Sequence, residues 1–409
     1  MVKVTTLDNG IRVIAKKLDG VKSLSMGVFV GVGSAAETTR ENGLAHFIEH
    51  VNFKGTKKRT AFDISRDSES LGIMLNAATS KQYTEYYAKT ISDHTETALE
   101  ILADLFLDSV YPDEELEKEK GVVIEEINMY ADTPDDVCVT ELARAVFGDG
   151  SGYGKKILGT VENVSAFKRK DVLSFKKKYY TADKIVLSFV GDLDHDEIFA
   201  LCEKYFSKVP RTDQRLMPAR NTHNLCKRIV TRKDIEQEHV ALGFSAPSLT
   251  DKDFDEYQIA VHVLGGGMSS RLFQKIREEM GLCYTVDAFI QPYTDCGAWS
   301  VYAGVKCGYV KKTIDAVINE LRIIKEKGIT EEEFYSIKEQ IKSSIAFAEE
   351  STTALMNVYG KKLLFENAVY DANERMARLD KLSAKAVNDV IFNKMDFENY
   401  ASSKVLKKR

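Results

Sequence analysis

Two histidines and a glutamate stand close together near the start of the chain, at His46, Glu49 and His50. On a helix, His46 and His50 are one turn apart and share a face, so two imidazoles can bind one metal ion from a single rigid element. Zn²⁺ is the first candidate, because it favours nitrogen ligands and needs only three protein ligands when water holds the fourth position. Glu49 flanks that position and can take a proton from the bound water.

The spacing His-x-x-Glu-His reverses the commoner His-Glu-x-x-His motif and is a recognised inverted form of it. Histidine is scarce in this chain, with 7 residues of 409, so a chance occurrence is expected on the order of once in a hundred such chains. The alternative interpretation is a pair of helix histidines satisfied by local hydrogen bonds. A third ligand from elsewhere in the chain would decide between the two.

A charged segment after Pro112 is the candidate source of that ligand. Residues 113–130 predict one continuous helix, whose acids include Glu119, Glu125 and Glu126. Helix periodicity places Glu119 and Glu126, seven residues apart, nearly in line on one face. A charge-rich helix is usually just a solvated one. Beside an incomplete metal triad, however, its aligned carboxylates become candidate ligands.

Composition bounds the class of protein. A chain of 409 residues predicts two domains of roughly 200 residues each. A net charge of −5 argues against a nucleic-acid surface. The six cysteines form no Cys-x-x-Cys pair, which favours reduced thiols in a reducing compartment. No apolar run reaches the length of a signal peptide or a transmembrane helix, so we expect a cytoplasmic protein without a membrane partner.

Hydrophobic periodicity predicts the main secondary structure. Predicted strands cover residues 11–17, 24–33, 73–78, 83–90 and 185–191, and predicted helices cover 62–71, 94–109 and a segment that starts at 194. The last hundred residues are predicted to form amphipathic helices whose apolar stripes are core faces. Two of the six prolines lie between residues 208 and 224, which indicates a linker. We therefore predict an N-terminal domain at 1–210, a linker at 211–222 and a C-terminal domain at 223–409.

The second half of the sequence repeats features of the first. Residues 240–244 echo 24–28, and both segments begin a similar stretch of chain. This predicts a diverged internal duplication of domain size, outside the range of solenoid repeats. At the same offset His262 corresponds to His46, but no Glu-His pair follows it. The second copy is therefore predicted to lack the metal pair, with His262 as an ordinary helix residue.

With these residues in view, the chain resembles the pitrilysin/insulinase family (M16) of zinc peptidases over essentially its whole length. It is most similar to half-length bacterial members related to mitochondrial processing peptidase. In that family the third zinc ligand is a glutamate about 76 residues past the second histidine, and the local pattern Gly-Val-Val-Ile-Glu-Glu-Ile favours Glu126 over Glu125. The resemblance implies one Zn²⁺ per chain on His46, His50 and Glu126, with Glu119 as a supporting carboxylate of the catalytic centre.

The resemblance also implies residues that bind substrate. Asn76 and Ala77 match the edge strand on which the family binds an extended peptide by backbone pairing. Arg277 and Tyr284 match an arginine–tyrosine pair of the second domain, which contacts substrate and helps to polarise the scissile carbonyl. Gln82 departs from the pattern, because an acid is common there, and this affects the expected substrate preference.

The fold that the resemblance implies is α+β, with two similar domains, each a mainly antiparallel β-sheet with helices packed on it. The implied function is a zinc-dependent endopeptidase that hydrolyses peptides or unfolded segments inside a closed chamber. The alternative is a non-catalytic peptide-binding or scaffold subunit of a processing-peptidase-like heterodimer.

A chain with two domains would need a partner chain to enclose a chamber. Because the zinc ligands and the arginine–tyrosine pair occur in one sequence, a homodimer suffices, with a heterodimer as the other possibility. In the homodimer, Arg277 and Tyr284 of one subunit are expected to face the zinc of the other.

Overall fold

A computed structural model describes residues 1–212 and 223–408. The strands are β1 (Val2–Thr6), β2 (Arg12–Lys17), β3 (Ser23–Val30), β4 (Met74–Thr79), β5 (Thr84–Ile91), β6 (Ile185–Gly191), β7 (Lys227–Arg232), β8 (Gln237–Ala246), β9 (Cys283–Pro292), β10 (Gly297–Lys306) and β11 (Ala401–Lys407). The α-helices are α1 (Leu44–Asn52), α2 (Ala61–Ser70), α3 (Thr95–Asp108), α4 (Asp113–Asp132), α5 (Pro134–Phe147), α6 (Val161–Ala166), α7 (Arg169–Tyr179), α8 (His195–Phe206), α9 (Phe254–Gly265), α10 (Val310–Lys327), α11 (Glu331–Glu349), α12 (Thr352–Glu366), α13 (Ala372–Lys381) and α14 (Ala384–Asn393). Residues Phe273–Glu279 form a π-helical segment.

Two β-sheets organise the chain, and apart from β1 their strands follow the same order. The first runs β1-β2-β6-β3-β5-β4, and the second runs β7-β11-β8-β10-β9. Each sheet contains one parallel pair, β2–β6 and β11–β7, and its other pairs are antiparallel. The echoing segments 24–28 and 240–244 lie on the equivalent strands β3 and β8. The predicted α+β fold with two similar domains is confirmed, and the repeated order fits an internal duplication.

The chain divides into two compact units, and neither is one continuous stretch of sequence. Unit 1 contains Met1–Ile127, the described part of 156–217, and Ala346–Asp371. Unit 2 contains Asn128–Lys155, the described part of 218–345, and the chain from Ala372 onward. The predicted domains, 1–210 and 223–409, are contiguous and so differ from these units. Of the predicted linker 211–222, the residues 213–222 lie outside the described residues.

An exchange of helices explains the difference from contiguous domains. Helix α5 belongs to the first half of the sequence but packs on β8 of unit 2, where a Cβ on Gly243 would come within 3.1 Å of Leu142. Helix α12 belongs to the second half but packs on unit 1, where the Ser188 hydroxyl donates a hydrogen bond of 2.8 Å to the Met356 carbonyl. Periodicity predicts that such a helix has an apolar face, but it does not say which sheet the face will cover.

Most of the predicted elements of the first half are present within two or three residues of their predicted ends. The strand at 185–191 is β6, and the helix predicted at 113–130 is α4. The prediction that the last hundred residues are helices is wrong at its end, because residues 401–407 form strand β11. This strand pairs with both β7 and β8 and buries Val405, so pairing decides its structure.

Candidate metal centre

Helix α1 holds the two histidines in a fixed orientation. Its N-cap, Gly43, has a φ of 99°, and a Cβ there would lie 2.7 Å from the Leu158 carbonyl oxygen, so this position needs glycine. The Glu37 carboxylate accepts hydrogen bonds from the backbone N–H groups of Gly43 and Ala45, at 2.8 and 2.7 Å. These bonds satisfy N–H groups that the first turn of a helix leaves free.

The three predicted ligands converge. Oε2 of Glu126 lies 3.6 Å from Nε2 of His46 and 3.5 Å from Nε2 of His50, and one ligand atom from each residue lies within 4.8 Å of the others. A tetrahedral zinc ion, with ligand distances of about 2.0–2.2 Å, holds its ligand atoms roughly 3.3–3.6 Å apart. Glu126 Oε2 is buried and has no hydrogen-bond partner in the described part of the chain. The three residues therefore fit zinc in the type and spacing of their ligand atoms, and the buried Glu126 Oε2 is available to bind it.

The other acid of the helix pair, Glu125, is exposed and is not part of this cluster. The structure thus selects Glu126 from the two candidates. His46 is buried, and burial together with the charge of His50 lowers the pKa of His46 to about 3. Its imidazole is therefore neutral near pH 7, which is the form that binds a metal.

Glu119 lies behind His50. The Nδ1 atom of His50 donates a hydrogen bond to Glu119 Oε1 at 2.8 Å, and Lys54 Nζ lies 2.7 Å from Glu119 Oε2. Burial raises the pKa of the Glu119 carboxyl, but the bonds from His50 and Lys54 outweigh it and leave the pKa below its usual value. A carboxylate in this position fixes the tautomer of His50 and leaves Nε2 as the free ligand atom.

Glu49 is held from the neighbouring sheet edge. The Thr79 hydroxyl, on β4, donates a hydrogen bond of 2.5 Å to Glu49 Oε2. Burial raises the pKa of Glu49, and the Thr79 bond opposes this shift only in part. A carboxylate whose pKa is raised toward neutrality is well matched to taking a proton from water and giving it back.

Asn76 and Ala77 lie on β4, the last strand of the first sheet. Among the described residues, β4 pairs only with β5, so its outer edge is unpaired there. The Ala77 N–H donates to the Asn76 side-chain oxygen at 2.8 Å. An unpaired edge of this kind can accept an extended peptide as an additional strand.

Arg277 and Tyr284 lie together in unit 2. Arg277 belongs to the π-helical segment Phe273–Glu279, and Tyr284 is the second residue of β9. The guanidinium carbon of Arg277 lies 4.8 Å from the centre of the Tyr284 ring, and Tyr284 is 73% exposed. The predicted pair therefore forms one cluster in unit 2, in which Tyr284 is exposed and Arg277 is half-buried, whereas the predicted metal ligands belong to unit 1.

Sequence reasoning missed two contacts of the centre. Nothing in the local sequence ties Lys54 to Glu119, 65 residues further on. Thr79 lies on β4, and its bond to Glu49 depends on how α1 packs against this strand. The only sequence feature that could indicate this bond is the residue type, since a threonine hydroxyl can donate to a carboxylate.

Family models match both halves of the chain. The model of the insulinase family, peptidase family M16, matches residues 12–161, which include the three candidate ligands. The model of the peptidase M16 inactive domain matches residues 166–341, which include Arg277 and Tyr284. The two models therefore divide the chain into a part with the candidate metal ligands and a part with the arginine–tyrosine pair.

Curated relatives match nearly the full length of the chain. An uncharacterized zinc protease from Bacillus subtilis is 35% identical over 404 residues, which cover 98% of this chain and 97% of the relative. An uncharacterized zinc protease from Streptomyces coelicolor is 34% identical, over 95% of this chain and 86% of the relative.

Solved structures share the fold. A protease from Helicobacter pylori superposes with a TM-score of 0.92 at 22% identity, and 99% of each chain is covered. A peptidase M16 inactive domain from Pseudomonas fluorescens gives a TM-score of 0.90 at 17% identity, with 100% of this chain and 98% of that chain covered. In the described residues, no helix combines the length and the apolar character that crossing a membrane requires.

Proposed function

This chain belongs to the insulinase family of M16 peptidases, and we propose that it is a zinc-dependent endopeptidase that binds its metal through His46, His50 and Glu126. One observation carries the proposal. The ligand atoms of these three residues, from two different helices, lie within 4.8 Å of one another, and the carboxylate of Glu49 is close enough to His50 and Glu126 to interact with their charges.

When bound, zinc would lower the pKa of a water molecule and polarise the scissile carbonyl. Glu49 takes the proton from the attacking water and returns it to the leaving amine. Thr79 hydrogen-bonds Oε2 of Glu49 and so fixes the position of the carboxylate that accepts this proton. Glu119 keeps His50 in the tautomer that presents Nε2.

The proposed substrates are peptides or unfolded segments of proteins. An extended peptide would add to the open edge of β4 at Asn76 and Ala77, and a folded domain cannot present a free strand in this way. Thr79 lies on the same strand and contacts Glu49, so a peptide bound there would run past the general base.

We also propose that two copies of the chain form the active enzyme and enclose the substrate in a chamber. In this homodimer Arg277 and Tyr284 of one subunit would contact the substrate at the other subunit's metal, and Tyr284 would stabilise the developing oxyanion. The presence of both residue sets in one sequence supports this arrangement. We propose the cytoplasm as its compartment, because the cysteines favour a reducing environment.

A cleavage profile tests the function. Purified protein is incubated with a mixed peptide library before and after treatment with a chelator, and again after zinc is added back. We expect cleavage that the chelator removes and zinc restores. Cleavage that continues without metal would contradict the proposal, and zinc-loaded protein that binds peptides without cleaving them would favour the non-catalytic alternative.

A further inference from the structure

Lys54 completes a line of three side chains that ends at the metal centre. Its Nζ lies 2.7 Å from Glu119 Oε2, and Glu119 Oε1 accepts the hydrogen bond of His50 Nδ1 at 2.8 Å. The backbone N–H of Lys54 donates to the Val51 carbonyl at 3.2 Å. The backbone of Lys54 is therefore fixed at the end of α1, and its side chain reaches α4, the helix that also supplies Glu126.

Glu119 needs both of its partners. Its side chain is only 5% exposed, and a buried carboxylate is stable only when its charge is paired and hydrogen-bonded. His50 satisfies one oxygen, and Lys54 satisfies the other. Without Lys54, the second oxygen has no other partner among residues 1–212 and 223–408, and turning toward water and away from His50 would lower the free energy of the carboxylate.

The two histidines differ in how they are supported. Nδ1 of His46 is buried and has no hydrogen-bond partner in the part of the chain that the structure describes. Metal-binding histidines usually donate this N–H to a second group, which fixes the ring. Among the described residues, a carboxylate bonds the Nδ1 atom of His50 but not that of His46. The orientation of the histidine ligands is therefore supported through Glu119 and, behind it, Lys54.

We propose that Lys54 is a positioning residue for the metal: it holds Glu119 against His50 and thereby raises the affinity of the site for zinc. This inference rests on the proposed function, because it takes His50 as a zinc ligand. It assigns Lys54 no contact with substrate or with the reacting atoms.

Zinc affinity of the full chain tests the proposal without any activity assay. The dissociation constant is measured by competition with a chromophoric chelator for the parent and for Lys54→Met, which keeps the length of the side chain and removes its charge. Loss of a group behind a ligand typically weakens metal binding about 10- to 100-fold. Because Lys54 is one step further out, we expect a loss of about tenfold, and we expect Lys54→Arg to recover most of it.

Lys57 provides a matched control. It lies three residues further along the same loop and pairs with Asp108 at 2.6 Å, where it is exposed. Lys57→Met removes the same charge near the same helix without touching Glu119, so its zinc affinity should equal that of the parent. Thermal melts of the zinc-free variants show whether either substitution unfolds the chain.

A second pair of variants tests the route. In a Glu119→Gln background, Lys54→Met should weaken zinc binding no further, because the group through which it acts is gone. Equal affinities of the parent and Lys54→Met, or losses that add in the double variant, would overturn this inference alone. A parent chain that binds no zinc would overturn the proposed function as well.

Discussion

Helices α1 and α9 follow equivalent strands of the two sheets, but they differ in what their histidines contact. In α1, His46 and His50 face Glu126 at 3.6 and 3.5 Å. In α9, Nδ1 of His262 makes a hydrogen bond of 2.9 Å to the Gln258 carbonyl one turn earlier in the same helix. A histidine at the equivalent position is thus satisfied locally in unit 2 and directed toward acids in unit 1.

Helix α11 follows β10 and α10 as the acidic helix α4 follows β5 and α3, so these two helices are counterparts. They also differ in the residues that could bind a metal. Glu119 and Glu126 follow Asp113, the first residue of α4, by six and thirteen positions. The same steps from Glu331, the first residue of α11, lead to Ile337 and Ser344. One helix alone cannot make the centre, so the comparison teaches that the repeated fold supplies the frame and two helices together supply the chemistry.

Loss of Glu126 should have the largest effect. In Glu126→Gln the third ligand loses its charge, and we expect zinc affinity to fall by at least about a hundredfold. The metal content of dialysed protein measures this. Glu125→Gln, on the same helix but exposed, is the matched control and should keep its zinc. A Glu126→Gln variant with the zinc content of the parent would contradict the conclusion that α4, unlike α11, supplies a metal ligand.

Glu49→Gln should separate binding of the metal from cleavage. The amide is close in size but cannot accept a proton, so we expect peptide turnover to fall by about 10²–10⁴-fold while the zinc content stays at the parent level. Glu69→Gln, on the exposed side of α2, should leave both unchanged. Turnover by Glu49→Gln at the parent rate would refute the assignment of Glu49 as the general base.

Thr79→Val should have a smaller effect. Valine has nearly the same shape as threonine but lacks the hydroxyl that donates to Glu49, and a hydrogen bond to a charged group contributes on the order of 1.5–3 kcal/mol. We expect kcat to fall by about tenfold or somewhat more, with little change in KM and none in zinc content. Thr79→Ser should recover most of the rate. A loss that appears only in KM would show that Thr79 acts on substrate binding instead.

His262→Gln should have the smallest effect. The substitution removes one hydrogen bond within α9, which contributes about 0.5–1.5 kcal/mol to the free energy of unfolding. We therefore expect a slightly lower Tm and a zinc content equal to that of the parent. Loss of zinc in this variant would mean that the two units are not as different as the contacts of His262 indicate.

The centre was predictable where chemistry follows from local spacing. His46 and His50 share a face because one helical turn separates them, and Glu126 followed from the family resemblance at its position on a predicted helix. The buried strand at 185–191 was predictable because it is a short apolar run that ends in glycine. Apart from Glu126, these features depend on residues that are near one another in the sequence.

Features that depend on distant contacts were not predictable. Helix α12 buries Leu355, Met356 and Leu363, but only the fold shows that they cover a sheet made from the other half of the chain. Lys54 looks like any surface lysine until α4 brings Glu119 within 2.7 Å. Strand β11 is short and rich in serine and lysine, and its structure is decided by β7 and β8 on either side.

The location of bound zinc tests the central claim most directly. Crystals of the zinc-loaded protein, measured on both sides of the zinc absorption edge, would place the ion from its anomalous signal. We expect one ion per chain, about 2.0–2.2 Å from Nε2 of His46, Nε2 of His50 and a carboxylate oxygen of Glu126. An ion held elsewhere, or one bound by the two histidines without Glu126, would contradict the claim.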